Sequence, residues 1–387
     1  MQGIHAWVIF LVILVIGDLI SMKTKARVPM LFASLFIYLL LIWGGMPKEL
    51  ADIGYIKAAG GIVIPMLILH MGTMISFKEI KEQWRPVIAT LAGLAGILAA
   101  LFGIGQFIIG YSEAVAGAGP IAGGVIATMV TIENLTKKGL EDLSVIPAMV
   151  LGLQFLVGIP LSSFFLKKYA ISLKGSMPSA ETLANVQKKN ESAEVDKKKY
   201  LLSGSYETSF TILLTVAIGS TIAVYLGGLT GIDRTIWALF IGMLGAYYGI
   251  YKKDVLTKAN SFGIVSFIIT AYILTLMNGI TPQGIMSKAY VIFMVLLLGT
   301  LGIIVGAFIV AKILRYDTRL AIAVALTAEF GFPANYWISY EVSRSVAGNK
   351  KEEAYILDKV LTPMLVGGYI SVTITSIIIA GILVNTL

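Results

Sequence analysis

AGAGPIAGGVIATMVTIENL (116–135) and TAEFGFPANYWISYEVSRSV (327–346) are the two stretches whose reading decides the fold. Each is loaded with helix breakers: Gly117, Gly119, Pro120, Gly123 and Gly124 in the first, Gly331 and Pro333 in the second. Each also carries polar groups, namely Thr128, Thr131, Glu133 and Asn134, then Thr327, Glu329, Asn335 and Glu341. Neither is apolar enough to face lipid as a simple helix, because an unpaired polar group in hydrocarbon is costly. Around them lies a chain made almost entirely of apolar segments.

Ten such segments read as membrane-crossing helices of roughly 20 residues. They lie near 6–22, 29–45, 60–76, 86–110, 143–166, 208–229, 235–251, 262–279, 289–314 and 355–384. Hydrophobic residues make up 57% of the 387 and charged residues only 13%, about half the charged share of a soluble domain. Lipid is therefore the natural solvent. Cysteine is absent and only His5 and His70 are histidines, which removes disulfides, thiolate sites and a His-rich metal centre. The net charge of +8 reads as positive-inside bias and not as nucleic-acid binding, because the charges fall between apolar segments. No HExxH, GxSxG or P-loop pattern occurs, so the chain does not read as an enzyme. The first apolar run lacks a basic n-region and an A-x-A site, and reads as a retained helix.

Basic residues fix the topology. If both broken stretches enter and leave on one side, 24 of the 30 Lys and Arg residues lie inside. Only Lys48, Lys57, Lys137, Lys138, Arg234 and Lys288 remain outside. A full crossing by the first stretch would send the lysine-dense segment 167–200 outside and reverse that bias. The stretches are thus expected to be re-entrant, over about 112–139 and 318–348, with both termini outside. The segment 167–205, including MPSAETLANVQKKNESAEVDKKKY (177–200), reads as a polar cytoplasmic linker.

The linker divides the chain into like halves, 1–166 and 206–387. VPMLFASLFIYLLLIWGG (28–45) answers RTIWALFIGMLGAYYGIY (234–251), and GGIVIPMLILHMGTMI (60–75) answers FGIVSFIITAYILTLMNGI (262–280). RPVIATLAGLAGILAALFGIG (85–105) answers KAYVIFMVLLLGTLGIIVGAF (288–308). Each half then has its broken stretch and a final helix with Pro147 or Pro363. Five crossings is an odd number, so the second half is inverted. The expected fold is an all-α integral membrane protein of two inverted repeats, each five transmembrane helices plus a re-entrant hairpin.

Paired broken segments in inverted repeats point to a solute site at mid-membrane. Half-helix N-termini attract anions and freed carbonyls attract Na⁺. Glu329 is the leading candidate, since an intramembrane carboxylate is costly to keep. It can bind a substrate amine, help hold Na⁺ or carry a proton, and the competing reading is a backbone cap. Gly119, Pro120, Gly123 and Gly124 shape the first hairpin tip, where glycine permits close backbone approach to a ligand, and of these Gly119 and Pro120 join Gly331 and Phe332 of the second break. Thr128 and Thr131 share a helix face, and Asn335 is a polar neighbour. These residues make up the expected solute site. Glu133, Thr327, Thr362 and Pro363 make up the expected sodium site, although Glu133 beside Lys137 reads equally as an exposed hairpin end. Asp18 reads as a paired interfacial charge, His70 as a packing histidine, and Gln154 and Asn278 as amides bonding across helices.

TRLAIAVALTAEFGFPANYWISYEVSR (318–344) and KVLTPMLVGGYISV (359–372) resemble the corresponding stretch of the bacterial sodium/glutamate symporter family. The shared features are Gly331–Phe332, the Pro/Ala-containing helix after it, and Pro363–Met364 before small residues. The topology is similar as well. Two departures stand out. GAGPIAGG (117–124) replaces a Gly-Gly-His-Gly-Thr signature, and Tyr369, Ser371 and Thr373 stand where that family has acidic and Asn residues. The resemblance implies sodium-driven uptake across a bacterial inner membrane, a homodimer, and elevator-like motion of a hairpin-bearing domain. No cofactor beyond Na⁺ as coupling ion is expected, and no nucleic-acid partner. The function read from all this is sodium-coupled symport of an amino acid or related small carboxylate. The alternative is a cation/proton antiporter, weakened by the lack of paired acids deep in unbroken helices.

Overall fold

A computed structural model describes residues 2–74, 82–177, 200–202, 206–372 and 382–387. Much of the expected linker, residues 75–81 and Thr373 fall outside the described residues. Among those described, the regular structure is helical throughout. Seven helices or helix runs are long and apolar enough to cross a membrane, and the chain is an all-α, multi-pass membrane protein. These seven match seven of the ten segments read from sequence. The segments at 29–45 and 235–251 form shorter helices of 14 and 15 residues, roughly 21–23 Å long. The last segment is described as helix to Val372.

The helices are α1 (Gly3–Thr24), α2 (Met30–Trp43), α3 (Ile56–Met74), α4 (Trp84–Ala100), α5 (Tyr111–Lys137), α6 (Val145–Gly175), α7 (Ser209–Thr230), α8 (Arg234–Tyr248), α9 (Phe262–Leu274), α10 (Ala289–Ile313), α11 (Thr318–Ala325), α12 (Ala334–Val346) and α13 (Lys350–Val372). Their ends have local causes. Thr208 and Thr211 form a capping box at the start of α7, satisfying N–H groups that the first turn leaves free. Asp233 accepts from Thr235 N–H at 2.7 Å to start α8. Helix α6 runs past the apolar end at Leu166 to Gly175, carrying Lys167, Lys168 and Lys174 on its last turns.

The chain divides into two units, each drawing on both sequence halves. The first comprises Met1–Trp7, Glu49–Glu82 and Ser176–Ile273. Here α3 and α8 meet where Gly72 and Gly242 let their backbones touch: a Cβ on either would lie 3.1 Å from the other's Cα. Small residues at such crossings gain dispersion contact that lipid cannot supply. His70 is buried and accepts from Leu256 N–H at 3.1 Å, with Nε2 3.3 Å from Asp254 Oδ1. It ties α3 to the turn Val255–Lys258.

The second unit comprises Val8–Lys48, Gln83–Gly175 and Leu274–Leu387. Its centre is the α4–α10 crossing. A Cβ at Gly96 would strike the Gly302 carbonyl, and one at Gly302 would strike the Gly96 carbonyl. Beside this crossing, the 3₁₀ turn Leu326–Glu329 follows α11 and touches α4, α5, α6, α10 and α13. Asn278 accepts from Tyr38 at 2.8 Å and donates to the Lys48 carbonyl at 2.9 Å, joining two elements as its amide predicts.

Candidate functional site

Both broken stretches contain real breaks, in different forms. In α5 the break is a single residue, Gly124, with φ 63° and ψ −140°, a conformation that is essentially glycine-only. Of the four residues expected to shape the tip, Gly124 holds the break, while Pro120 lies inside the helical stretch before it. In the second stretch the helix tightens to a 3₁₀ turn over Leu326–Glu329. It leaves helical geometry at Phe330, passes through Gly331 (φ 60°) and a cis Phe332–Pro333 bond, and restarts at Ala334. Gly331 sits in the left-handed region that lets the chain turn here without a Cβ clash.

Glu329 ends the 3₁₀ turn and is fully buried. Its Oε1 accepts from Thr300 Oγ1 of α10 at 2.5 Å. Its Oε2 is buried with no hydrogen-bond partner among the described residues. The carboxylate rests on α6 at Gly158, where a Cβ would stand 2.5 Å from Oε2 and 2.8 Å from the glutamate Cβ. Thr300 is the twelfth residue of the 25 in α10, roughly 17–20 Å from either end. The carboxylate therefore sits at mid-helix. No Lys or Arg is buried among the described residues, so no basic side chain neutralises it.

The polar residues after the break look toward α13. Asn335 donates from Nδ2 to the Met364 carbonyl at 2.9 Å, and its Oδ1 accepts from Tyr336 N–H at 2.8 Å. Gly368 of α13 leaves room for that amide. Thr327 Oγ1 donates to the Val324 carbonyl at 2.5 Å, and its carbonyl accepts from Gly331 N–H at 2.6 Å. It packs by Gly367, whose Cβ would lie 3.1 Å from Oγ1. Phe332 stacks on Tyr369 with centroids 6.1 Å apart, and the Tyr369 hydroxyl is buried without a partner among the described residues. Pro363, inside α13, has no N–H to give the carbonyl one turn earlier. Thus Thr327, Glu329, Gly331, Phe332 and Asn335 gather around one break, against Met364, Gly367, Gly368 and Tyr369 of α13.

The first stretch contributes less. Thr128 and Thr131 are buried, but each hydroxyl donates to its own helix, to the Gly124 carbonyl at 2.7 Å and the Ala127 carbonyl at 2.8 Å. Gly119 and Pro120 pack within the buried first part of α5. Glu133 lies away from this cluster: its side chain is 65% exposed and pairs with Lys137 at 2.6 Å. Asp18 pairs with Arg344 of α12 at 2.7 Å.

One acid beyond Glu329 matters to the arrangement. Glu341 on α12 is buried, and its Oε2 accepts from Ser21 Oγ at 2.6 Å and from Met30 N–H, at the start of α2, at 2.7 Å. Its Oε1 has no partner among the described residues. By contrast, a shallow hollow in the first unit, lined by Tyr200, Glu207, Tyr251 and Lys252, holds a Lys252–Glu207 pair at 2.6 Å. Its charge is already compensated. Thr300, Gly158 and Glu341 had not been singled out as site residues in the sequence. The available signal for Thr300 was its position as the lone polar residue between Tyr290 and Lys312.

No protein-family model matches the chain, and no curated protein is similar to it at a significant level.

Proposed function

We propose that this chain is a secondary active transporter, a sodium-coupled symporter of a small solute such as an amino acid or related carboxylate. The observation that carries the reading is Glu329: a carboxylate buried at mid-helix, beside a broken helix, with one oxygen unpartnered and no buried basic residue. Retaining such a group is expensive, and its default meaning is a solute or ion pathway. The packing of α4 against α10 supports inverted repeats, because these are the segments that answer each other in the two halves and a two-fold relation brings such counterparts together. In this reading both broken stretches are re-entrant, both termini lie outside a bacterial inner membrane, and the linker is cytoplasmic.

The solute binds at the second break. Gly331, Phe332 and Asn335 line it. Glu329 faces a cation or an amine. All of these residues belong to one unit, which supports an elevator-like carrier for that unit and a homodimer of the kind the family resemblance implies.

A thermal-shift screen of purified protein against amino acids and small carboxylates, with and without Na⁺, tests the reading. A solute that stabilises only with Na⁺ present supports symport. Stabilisation by pH alone, with every solute inert, would favour a cation/proton antiporter. Glu341 favours that second reading, being a second buried acid with an unpartnered oxygen on the same stretch.

A further inference from the structure

Three buried polar atoms in the second unit lack partners on two neighbouring elements. One is Glu329 Oε2; the others are Oε1 and Nε2 of Gln154. Gln154 is fully buried on α6. It lies one turn before Gly158, the residue on which the Glu329 carboxylate rests. Residues four apart share a helix face, with Cβ atoms about 5–6 Å apart. The same stripe continues to Ser162, whose Oγ donates to the Ala323 carbonyl at 2.9 Å. Ser162 is thus satisfied by the second broken stretch, while Gln154 is not. Buried amides without partners are rare, because burial strips their water with no return.

The charge of this cluster depends on Glu329 alone. Ionised, Glu329 supplies one negative charge, while Gln154 and Thr300 are neutral. No basic residue is buried among the described residues of this unit. With Glu329 ionised, one positive charge is missing. The available donors are hard oxygens: Glu329 Oε2, Gln154 Oε1 and the lone pairs left on Thr300 Oγ1 after it donates. Hard oxygens suit a hard cation. A single carboxylate balances one charge and not two.

We infer that Gln154 and Thr300 complete a desolvated Na⁺ site on Glu329, between α6, α10 and the 3₁₀ turn. This rests on the symport reading and deepens it. It places the coupling ion at Gln154, Thr300 and Glu329, in place of Glu133, Thr327, Thr362 and Pro363.

The test is a NaCl titration of the purified full chain by thermal shift, without solute, at constant ionic strength set by choline chloride. The wild type rises in Tm with Na⁺. Glu329→Gln abolishes the response, and Gln154→Leu and Thr300→Val each raise the half-saturating Na⁺ at least tenfold. Gln154→Asn, which keeps the amide, falls between. It also keeps the test alive if Gln154→Leu fails to fold. Equal Na⁺ responses in wild type and Gln154→Leu would overturn the site. So would a wild type blind to Na⁺ whose Tm follows pH through Glu329, since the cluster then holds a proton. Sodium-dependent solute stabilisation that survives either result would leave the symport reading standing and sink only this inference.

Discussion

A glycine does as much as a glutamate at the centre of this protein. Glu329 is held because Gly158 has no side chain, and a Cβ there would press 2.5 Å from the carboxylate oxygen. Gly158→Ala is expected to cost about 1–3 kcal/mol by overpacking and to abolish solute-dependent stabilisation, read by thermal shift. Glu133→Ala is expected to leave both stability and transport unchanged, because that carboxylate is exposed and its ion pair with Lys137 is solvated. Loss of Na⁺ dependence in that variant would return Glu133 to the site. These two residues also mark what was legible. Glu329 was visible because a carboxylate in apolar sequence has few harmless explanations. Thr300 and Gly158 were not, because a threonine or one glycine among 40 has no chemical signature until the fold brings it against an acid. The two amides divide the same way. Asn278 bonds across elements as read, whereas Gln154 finds no protein partner among the described residues.

At the scale of elements, the positions of the broken stretches were legible and their geometry was not. The composition of 116–135 offers Gly119, Pro120, Gly123 and Gly124 together as breakers, and proline is the stronger one in isolation. Of the four it is Gly124 that holds the break, because only the missing Cβ permits its backbone angles. A proline costs one N–H and can stay inside a helix whose neighbours absorb the loss. The second stretch is anchored at its start by Asp317, which accepts from the N–H groups of Arg319 at 2.9 Å and Leu320 at 3.4 Å. Partial burial pushes the Asp317 carboxyl up. The hydrogen bonds from Arg319 and Leu320 outweigh this and hold it below the usual carboxylate range. A carboxyl whose pKa is lower in the folded state stabilises above its unfolded pKa, and the effect is lost as pH falls through the folded value. Asp317→Ala is therefore expected to cost about 0.5–2 kcal/mol at neutral pH. The gap to wild type closes below the usual carboxylate range. A gap independent of pH in thermal unfolding would show that the charge plays no part.

For the whole molecule, class followed from composition, because 57% hydrophobic residues leave no aqueous solution for the chain. The count of crossings was harder to read. Apolar runs such as 29–45 and 235–251 have the composition of a span, and their helices stop at 14 and 15 residues where Gly44 and Gly249 cap them. The division into two spatial units was not legible at all, since each unit takes helices from both halves. The proposed sidedness is open to direct test because the chain has no cysteine. Single cysteines at Lys137 or Lys138 are expected to react with an impermeant maleimide from outside, and ones at Lys350 or Lys351 only from inside. The reverse pattern would invert the topology.

The most direct test of transport itself is electrical. Proteoliposomes of the full chain on a solid-supported membrane are challenged with amino acids and small carboxylates, with Na⁺ or choline outside. Wild type is predicted to give solute-evoked currents only with Na⁺, and Glu329→Gln, properly folded, to give none. Solute currents of equal size in choline, or in the Glu329→Gln protein, would contradict the account.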